Sequence, residues 1–340
     1  MMLDLNLIWF ILLAVLLAGY IILDGFDLGV GILHPIARTD QQRRVVINAI
    51  GPLWDGNEVW LVTFGGALFA AFPEAYACIF SGFYMAFILL LFALIFRAVS
   101  LEFRSKLSSR VWRVFWDWSF FASSLVAALL FGVAAGNVLQ GLPLNERGDY
   151  VGGFIELLNP YAILVGLMTA SMFAMHGAIY LYLKTDGELQ DRLNTWMWRT
   201  FGIFLVMYIL TTMYTLVNIP LATANFKQYP WAAVVVVLTV LAIANIPRCI
   251  HWCRPGWAFL SSCATLAAFV FLFAMALFPN LVTNSTPDIS SLTIYNAASS
   301  PKTLWIMFIF AIFGMPFVLA YTVVIYWTFR GKVQLGDFSY

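Results

Sequence analysis

Four acids stand in or beside strongly apolar sequence: Asp24 and Asp27 in Asp24-Gly25-Phe26-Asp27, and Asp55 and Glu58 in Trp54-Asp55-Gly56-Asn57-Glu58-Val59-Trp60. A carboxylate at bilayer depth is costly and persists where it performs a task or is paired. Within each pair the spacing is i, i+3, which puts both carboxyl groups on one face of a helix. Two close acids in a poorly solvated setting favour a shared or mobile proton, the chemistry of a proton entry route. The bland alternative makes the same residues helix caps or counter-ions of a buried arginine, and Arg97 is the candidate partner. For Asp55, at a helix start after Pro52-Leu53-Trp54, capping has about as much claim as proton handling.

The elements that must position these acids follow from composition. Hydrophobic residues make up 62% and charged residues 10%, and the mean hydropathy is +0.88. These values lie outside the range of soluble domains and specify an all-α polytopic membrane protein. The net charge of +1 gives no sign of a nucleic-acid partner. Apolar stretches of the roughly 20 residues needed to cross a bilayer fall at 6–30, 55–72, 76–98, 115–141, 158–183, 196–219, 231–247, 257–278 and 303–328, predicting nine spans. Residues Met1 to Asn6 lack a basic segment, and no small-residue cleavage site follows, so the first span reads as its own insertion signal.

Lys and Arg divide by loop parity. Loops after spans one, three, five and seven, with the tail, hold Arg38, Arg43, Arg44, Arg104, Lys106, Arg110, Arg113, Lys184, Arg192, Arg248, Arg254, Arg330 and Lys332, whereas the others hold only Arg147, Lys227 and Lys302. The positive-inside rule then places the N-terminus in the periplasm and the C-terminus in the cytoplasm. The boundary at Pro73-Glu74-Ala75 matters most, because one long broken helix there would invert every later loop. Outside segments 142–157 and 279–302 are short, so 1–340 reads as one integral membrane domain whose function lies in the bilayer or at a partner's surface.

On this topology Asp24 lies about 18 residues into span one, roughly 27 Å along it. Both Asp24 and Asp27 therefore fall in the inner half, and Asp55 and Glu58 begin span two on the same side. Glycines 25, 29 and 31, and 51, 56, 65 and 66, permit close helix approach, so spans one and two are expected to pack on each other or on a partner. Tryptophans 112, 116, 118, 196 and 198 cluster at span ends and read as interfacial belts. His34, His176 and His251 lie in separate segments, so no paired haem or metal ligands come from this chain alone, and His176 reads as bonded to a neighbour. Cys249-Ile250-His251-Trp252-Cys253 lacks the second ligand pair of a zinc site, and Cys78 and Cys263 read as apolar fillers.

These residues resemble subunit II of the cytochrome bd-type quinol oxidases. The resemblance rests on Asp24-Gly25-Phe26-Asp27-Leu28-Gly29-Val30-Gly31, on Arg43-Arg44-Val45-Val46-Ile47-Asn48 with Trp54-Asp55-Gly56-Asn57-Glu58-Val59-Trp60-Leu61, and on Gly65-Gly66-Ala67-Leu68-Phe69-Ala70-Ala71. It continues through Phe80-Ser81-Gly82-Phe83-Tyr84, Phe96-Arg97, Phe103-Arg104-Ser105-Lys106, Trp116-Asp117-Trp118, Gly136-Asn137-Val138-Leu139-Gln140-Gly141, Ser290-Ser291-Leu292-Thr293 and Ala320-Tyr321-Thr322. It implies a respiratory quinol:dioxygen oxidoreductase of the prokaryotic inner membrane, with haems b and d and quinol oxidation in subunit I. Subunit II is then the haem-free partner, nine spans arranged as two four-helix bundles plus one peripheral helix.

The resemblance also implies a part in supplying cytoplasmic protons for Asp55 and, less firmly, Asp24 and Asp27, and an oxygen route or interface near Trp60. It leaves open a structural quinone and a small single-helix accessory subunit. Two departures stand out: Glu58 occupies a position where many members have Gln, adding a carboxylate beside Asp55, and the loop between spans six and seven, about 220–230, is short. A proton-coupled secondary transporter is the alternative, but it expects repeated halves with broken helices. This chain shows no clear repeat, and its acids concentrate in the first sixty residues. A purely structural partner for subunit I is the third reading.

Overall fold

Proline and polar caps set where the helices of this chain begin. The computed structural model describes residues 4–286 and 289–336; Met1, on which part of the N-terminal reading rests, lies outside the described residues. Helix α1, Leu5–Leu33, starts where the Asp4 carboxylate accepts the Asn6 and Leu7 amides at 3.0 and 3.2 Å. After the short α2, Asp40–Ile50, come α3, Trp54–Ala71, α4, Pro73–Gly82, α5, Tyr84–Phe103, and α6, Arg110–Gln140. The second half holds α7, Pro160–Lys184, α8, Gly187–Asn218, the short α9, Pro220–Gln228, then α10, Ala233–His251, α11, Pro255–Leu277, and α12, Pro301–Thr328. Proline opens α4, α7, α9, α11 and α12, where its missing N–H costs nothing. Two short strands, Asn280–Val282 and Leu292–Thr293, pair in the loop before α12.

Among the described residues eight helices are long and apolar enough to cross a membrane: α1, α5, α6, α7, α8, α10, α11 and α12. The expected second span forms α3, whose polar first turn of Asp55, Asn57 and Glu58 lowers its apolarity below that of the other eight. The expected third span, 76–98, is displaced. Pro73 starts a separate ten-residue α4 that stops at Gly82, and the long helix begins only at Tyr84. The loop between α8 and α10 is occupied by α9.

Helices α1, α3, α5 and α6 form one group, with α3 and α6 on α1 and α5 on α6; α7, α8, α10 and α11 form a second. The groups join where α7 packs on both α1 and α6. Glycines make those seams possible. A β-carbon on Gly29 would overlap the Phe173 carbonyl of α7, and one on Gly177 would overlap Gly29. Gly132 and Gly136 of α6 likewise lie against Gly166 and Ala162 of α7. Of the glycines near the acids, Gly25 and Gly29 thus serve α1–α7 contact and Gly31 lies against Ser124 of α6, while Gly65 and Gly66 of α3 face open space. Helix α3 packs on α1 elsewhere, through the Trp60 ring laid over Gly19.

The outlying helix is α12, none of whose most apolar stretch is buried. Residues 316–321 are exposed around the whole helix. Its ends are tied: Trp9 Nε1 donates to Leu304 O at 2.9 Å, while at the other end Lys184 Nζ donates to Phe329 O and Lys332 Nζ to Thr185 O, both at 2.5 Å.

Candidate functional site

Near the basic end of the molecule, α1 presents its two acids to α3, α5 and α12. Asp24 and Asp27 are both 0% exposed. Arg97 of α5, also fully buried, grips Asp24 with both terminal nitrogens: Nη1 donates to Oδ2 at 2.8 Å, and Nη2 pairs with Oδ1. The same Nη2 stands 3.2 Å from Glu58 Oε1 of α3. One residue earlier, Asn57 Nδ2 donates to Asp27 Oδ2 at 2.7 Å and to Leu23 O at 3.3 Å. Tyr326 OH of α12 donates to Asn57 Oδ1 at 3.0 Å. The i, i+3 pair on α1 is therefore met by adjacent residues of α3: Asn57 serves Asp27, and Glu58 shares the guanidinium of Asp24.

Three carboxyl groups and one guanidinium make up this cluster, and several of its polar atoms stay unmatched. Among the described residues, Asp27 Oδ1 and Arg97 Nε are buried without hydrogen-bond partners. Asp55 stands apart. It is exposed in the first turn of α3, with no hydrogen bond or ion pair, and the cap position of that helix is Leu53, which makes no side-chain cap bond. Trp60 is 8% exposed and packs with Leu16 and Tyr20 inside this chain.

A second ionic cluster lies where α1, α2, α5 and α6 meet. Asp117 of α6 accepts Arg104 Nε at 2.5 Å and Arg43 Nη1 at 2.7 Å, and bonds His34 Nε2 at 2.6 Å. Arg104, 1% exposed, also donates to Asp40 at 2.8 Å, which pairs in turn with Arg113 at 3.1 Å. In the sequence Asp117 sits between tryptophans of an apparent interfacial belt, and only its stray charge beyond the start of a span could have marked it.

His176, 0% exposed, joins three helices: Nδ1 lies 2.7 Å from Ser262 Oγ of α11 and Nε2 3.0 Å from Ile22 O of α1. With His176 and His34 so engaged and His251 exposed, the histidines do not fit paired axial ligation of a haem within this chain. Among the described residues no group of three or more His, Cys, Asp or Glu could hold a metal ion.

Residues 5–329 match the family model described as cytochrome bd terminal oxidase subunit II. The chain belongs to this family. It is 39% identical to cytochrome bd-I ubiquinol oxidase subunit 2 of Escherichia coli (strain K12), covering 98% of this chain and 96% of the relative. It is 34% identical to cytochrome bd ubiquinol oxidase subunit 2 of Bacillus subtilis (strain 168), covering 98% of each. The fold is similar to that of a chain in the bd oxidase structure from Geobacillus thermodenitrificans, with a TM-score of 0.78 at 18% identity over 96% of this chain and 99% of that one. Membership in the cytochrome bd subunit II family sets aside the transporter alternative and makes the carboxylate cluster a feature of an oxidase subunit.

Proposed function

We propose that this chain is the haem-free second subunit of a quinol:dioxygen oxidoreductase in the inner membrane, and that its acids deliver cytoplasmic protons toward the oxygen-reducing centre of subunit I. In this reading the basic end of the molecule is cytoplasmic and the N-terminus periplasmic. Two quinols release four electrons and four protons, and one dioxygen takes up four electrons and four protons to give two waters. Drawing the consumed protons from the cytoplasm while quinol protons leave on the other side generates a potential without pumping. Haems b and d in subunit I supply the electron chemistry; this chain supplies protons and packing.

The observation that carries the reading is the ratio of three carboxyl groups, those of Asp24 and Asp27 fully buried and that of Glu58 half-buried, to the one buried guanidinium of Arg97. Uncompensated negative charge at this depth is expensive, so the set favours retaining protons. Asp55 lies one turn before Glu58 on the same face of α3 and is exposed, as an entry acceptor must be. Trp60, packed against Leu16 and Tyr20 between α3 and α1, is the residue assigned in this reading to an oxygen route or to the interface with subunit I. Glu58 adds a second carboxyl between rim and cluster.

Asp55→Asn tests this. The variant complex is expected to assemble with full haem content and to reduce oxygen about tenfold more slowly or worse, in line with loss of a positioned proton-transfer group. Wild-type turnover in that complex would refute the proton role, and failure to assemble would make Asp55 structural.

A further inference from the structure

Asp27 is a carboxyl group with two unlike oxygens. Its Oδ2 accepts the Asn57 amide at 2.7 Å, whereas Oδ1 is buried and has no partner. The orientation of Asn57 is set by Leu23 O and is compatible with Tyr326, whose hydroxyl can donate or accept. Its nitrogen faces Leu23 O, a backbone carbonyl that can only accept, and its oxygen receives the Tyr326 hydroxyl at 3.0 Å. Turning the amide over would set its oxygen against two acceptors. Asn57 therefore donates to Asp27, and because Oδ2 accepts that hydrogen best as the unprotonated oxygen, a proton on Asp27 is favoured on Oδ1. Tyr326 belongs to α12, whose neighbouring residues 316–321 stand clear of the body, and Tyr326 itself is held by an edge contact with Phe26 at 6.5 Å between ring centres.

We infer that Asn57 and Tyr326 are positioning residues that reserve Oδ1 of Asp27 as the atom where a proton is taken up and released, with Oδ2 fixed as a bonded acceptor. The step is simple protonation: a carboxylate gains a hydrogen ion on Oδ1 and returns it, and no other covalent bond changes. The inference deepens the proton-supply reading and rests on it for its functional meaning. The groups facing Asp27 are Asp24 on its own helix, Glu58 on α3, Arg97 on α5, Tyr180 on α7 and Tyr326 on α12. Of these contacts, only the Asn57 bond discriminates between the two oxygens.

The test uses the assembled complex and the infrared carbonyl band of protonated carboxyl groups, with the Asp27 band assigned by its loss in Asp27→Asn and its displacement in Asp27→Glu. Asn57→Leu removes a donor that favours the ionised form, so the band should titrate about one pH unit higher, since a hydrogen bond to a charged group is worth about tenfold in proton affinity. Tyr326→Phe keeps the ring but releases the amide, and should move the midpoint in the same direction by less, with a broader band. Unchanged midpoints in both variants would overturn the inference. Should Asn57→Leu fail to assemble, Tyr326→Phe decides alone, and an unmoved midpoint there overturns it. Shifted midpoints with wild-type oxygen turnover would uphold the positioning roles while refuting the proton-supply reading.

Discussion

Arg97 and Asp24 illustrate how a residue in the bilayer is legible by type yet not by partner. Charge in apolar sequence singled out Asp24, Asp27, Asp55, Glu58 and Arg97, and the structure gathers all but Asp55 into one set, with Asp24, Asp27 and Arg97 fully buried and Glu58 at its half-buried edge. Asp117 carried the same kind of charge signal but was passed over, because Trp116 and Trp118 read as a belt and its partners His34, Arg43 and Arg104 come from three other segments. Removing one member of a buried pair leaves an uncompensated charge and costs about 3–5 kcal/mol. Arg97→Met should therefore lower the yield and melting temperature of the haem-bearing complex sharply, and Arg97→Met combined with Asp24→Asn should recover most of that loss. Equal damage in the single and double variants would show that Arg97 matters for something besides pairing. Asp117→Asn leaves two arginines facing a neutral group and should lower the melting temperature without changing oxygen turnover.

At the scale of elements, hydropathy located most ends of the long helices to within about five residues, missed the starts of α5 and α8 by more, and misjudged what glycine was for. Apolar runs report burial from water, and in lipid every face of a helix looks alike. So the pattern could not say that Gly29 meets Gly177, or that Gly132 and Gly136 meet α7, because those partners lie more than twenty residues away in sequence. Gly29→Ala forces the α1 and α7 backbones apart, which overpacking studies price at about 1–3 kcal/mol, and a lower melting temperature of the complex should report it. The break between α4 and α5 was hidden for a related reason: Gly82 and Phe83 are as compatible with a continuous helix as with a stop, and the close approach of Tyr150 to Gly82, where a β-carbon would overlap it, comes from a segment distant in sequence. Cys253, held at φ +53 just past the end of α10, offers a gain instead. Cys253→Gly should stabilise the protein by about 0.5–1 kcal/mol, seen as a rise in melting temperature, because glycine adopts that conformation without strain.

For the molecule as a whole, α12 is attached at its ends and close to free between them. The tail after it crosses the α7–α8 junction, with Val333 N donating to Lys184 O at 2.9 Å and Lys332 reaching Tyr182 O and Thr185 O. Replacing Lys184 and Lys332 together by Met should raise deuterium uptake at residues 329–333 about fivefold, matching about 1 kcal/mol of lost hydrogen bonding, with residues 304–311 unchanged. Equal uptake in both segments would mean that the two tethers act as one. Tyr326 also gives this helix a part in biosynthesis. The Asp27–Asn57 link forms between α1 and α3, among the earliest helices to emerge, yet the amide oxygen of Asn57 stays unpaired in the membrane until the last helix arrives. An unfinished chain thus carries an unsatisfied polar group at bilayer depth, and α12 brings its partner in the Tyr326 hydroxyl.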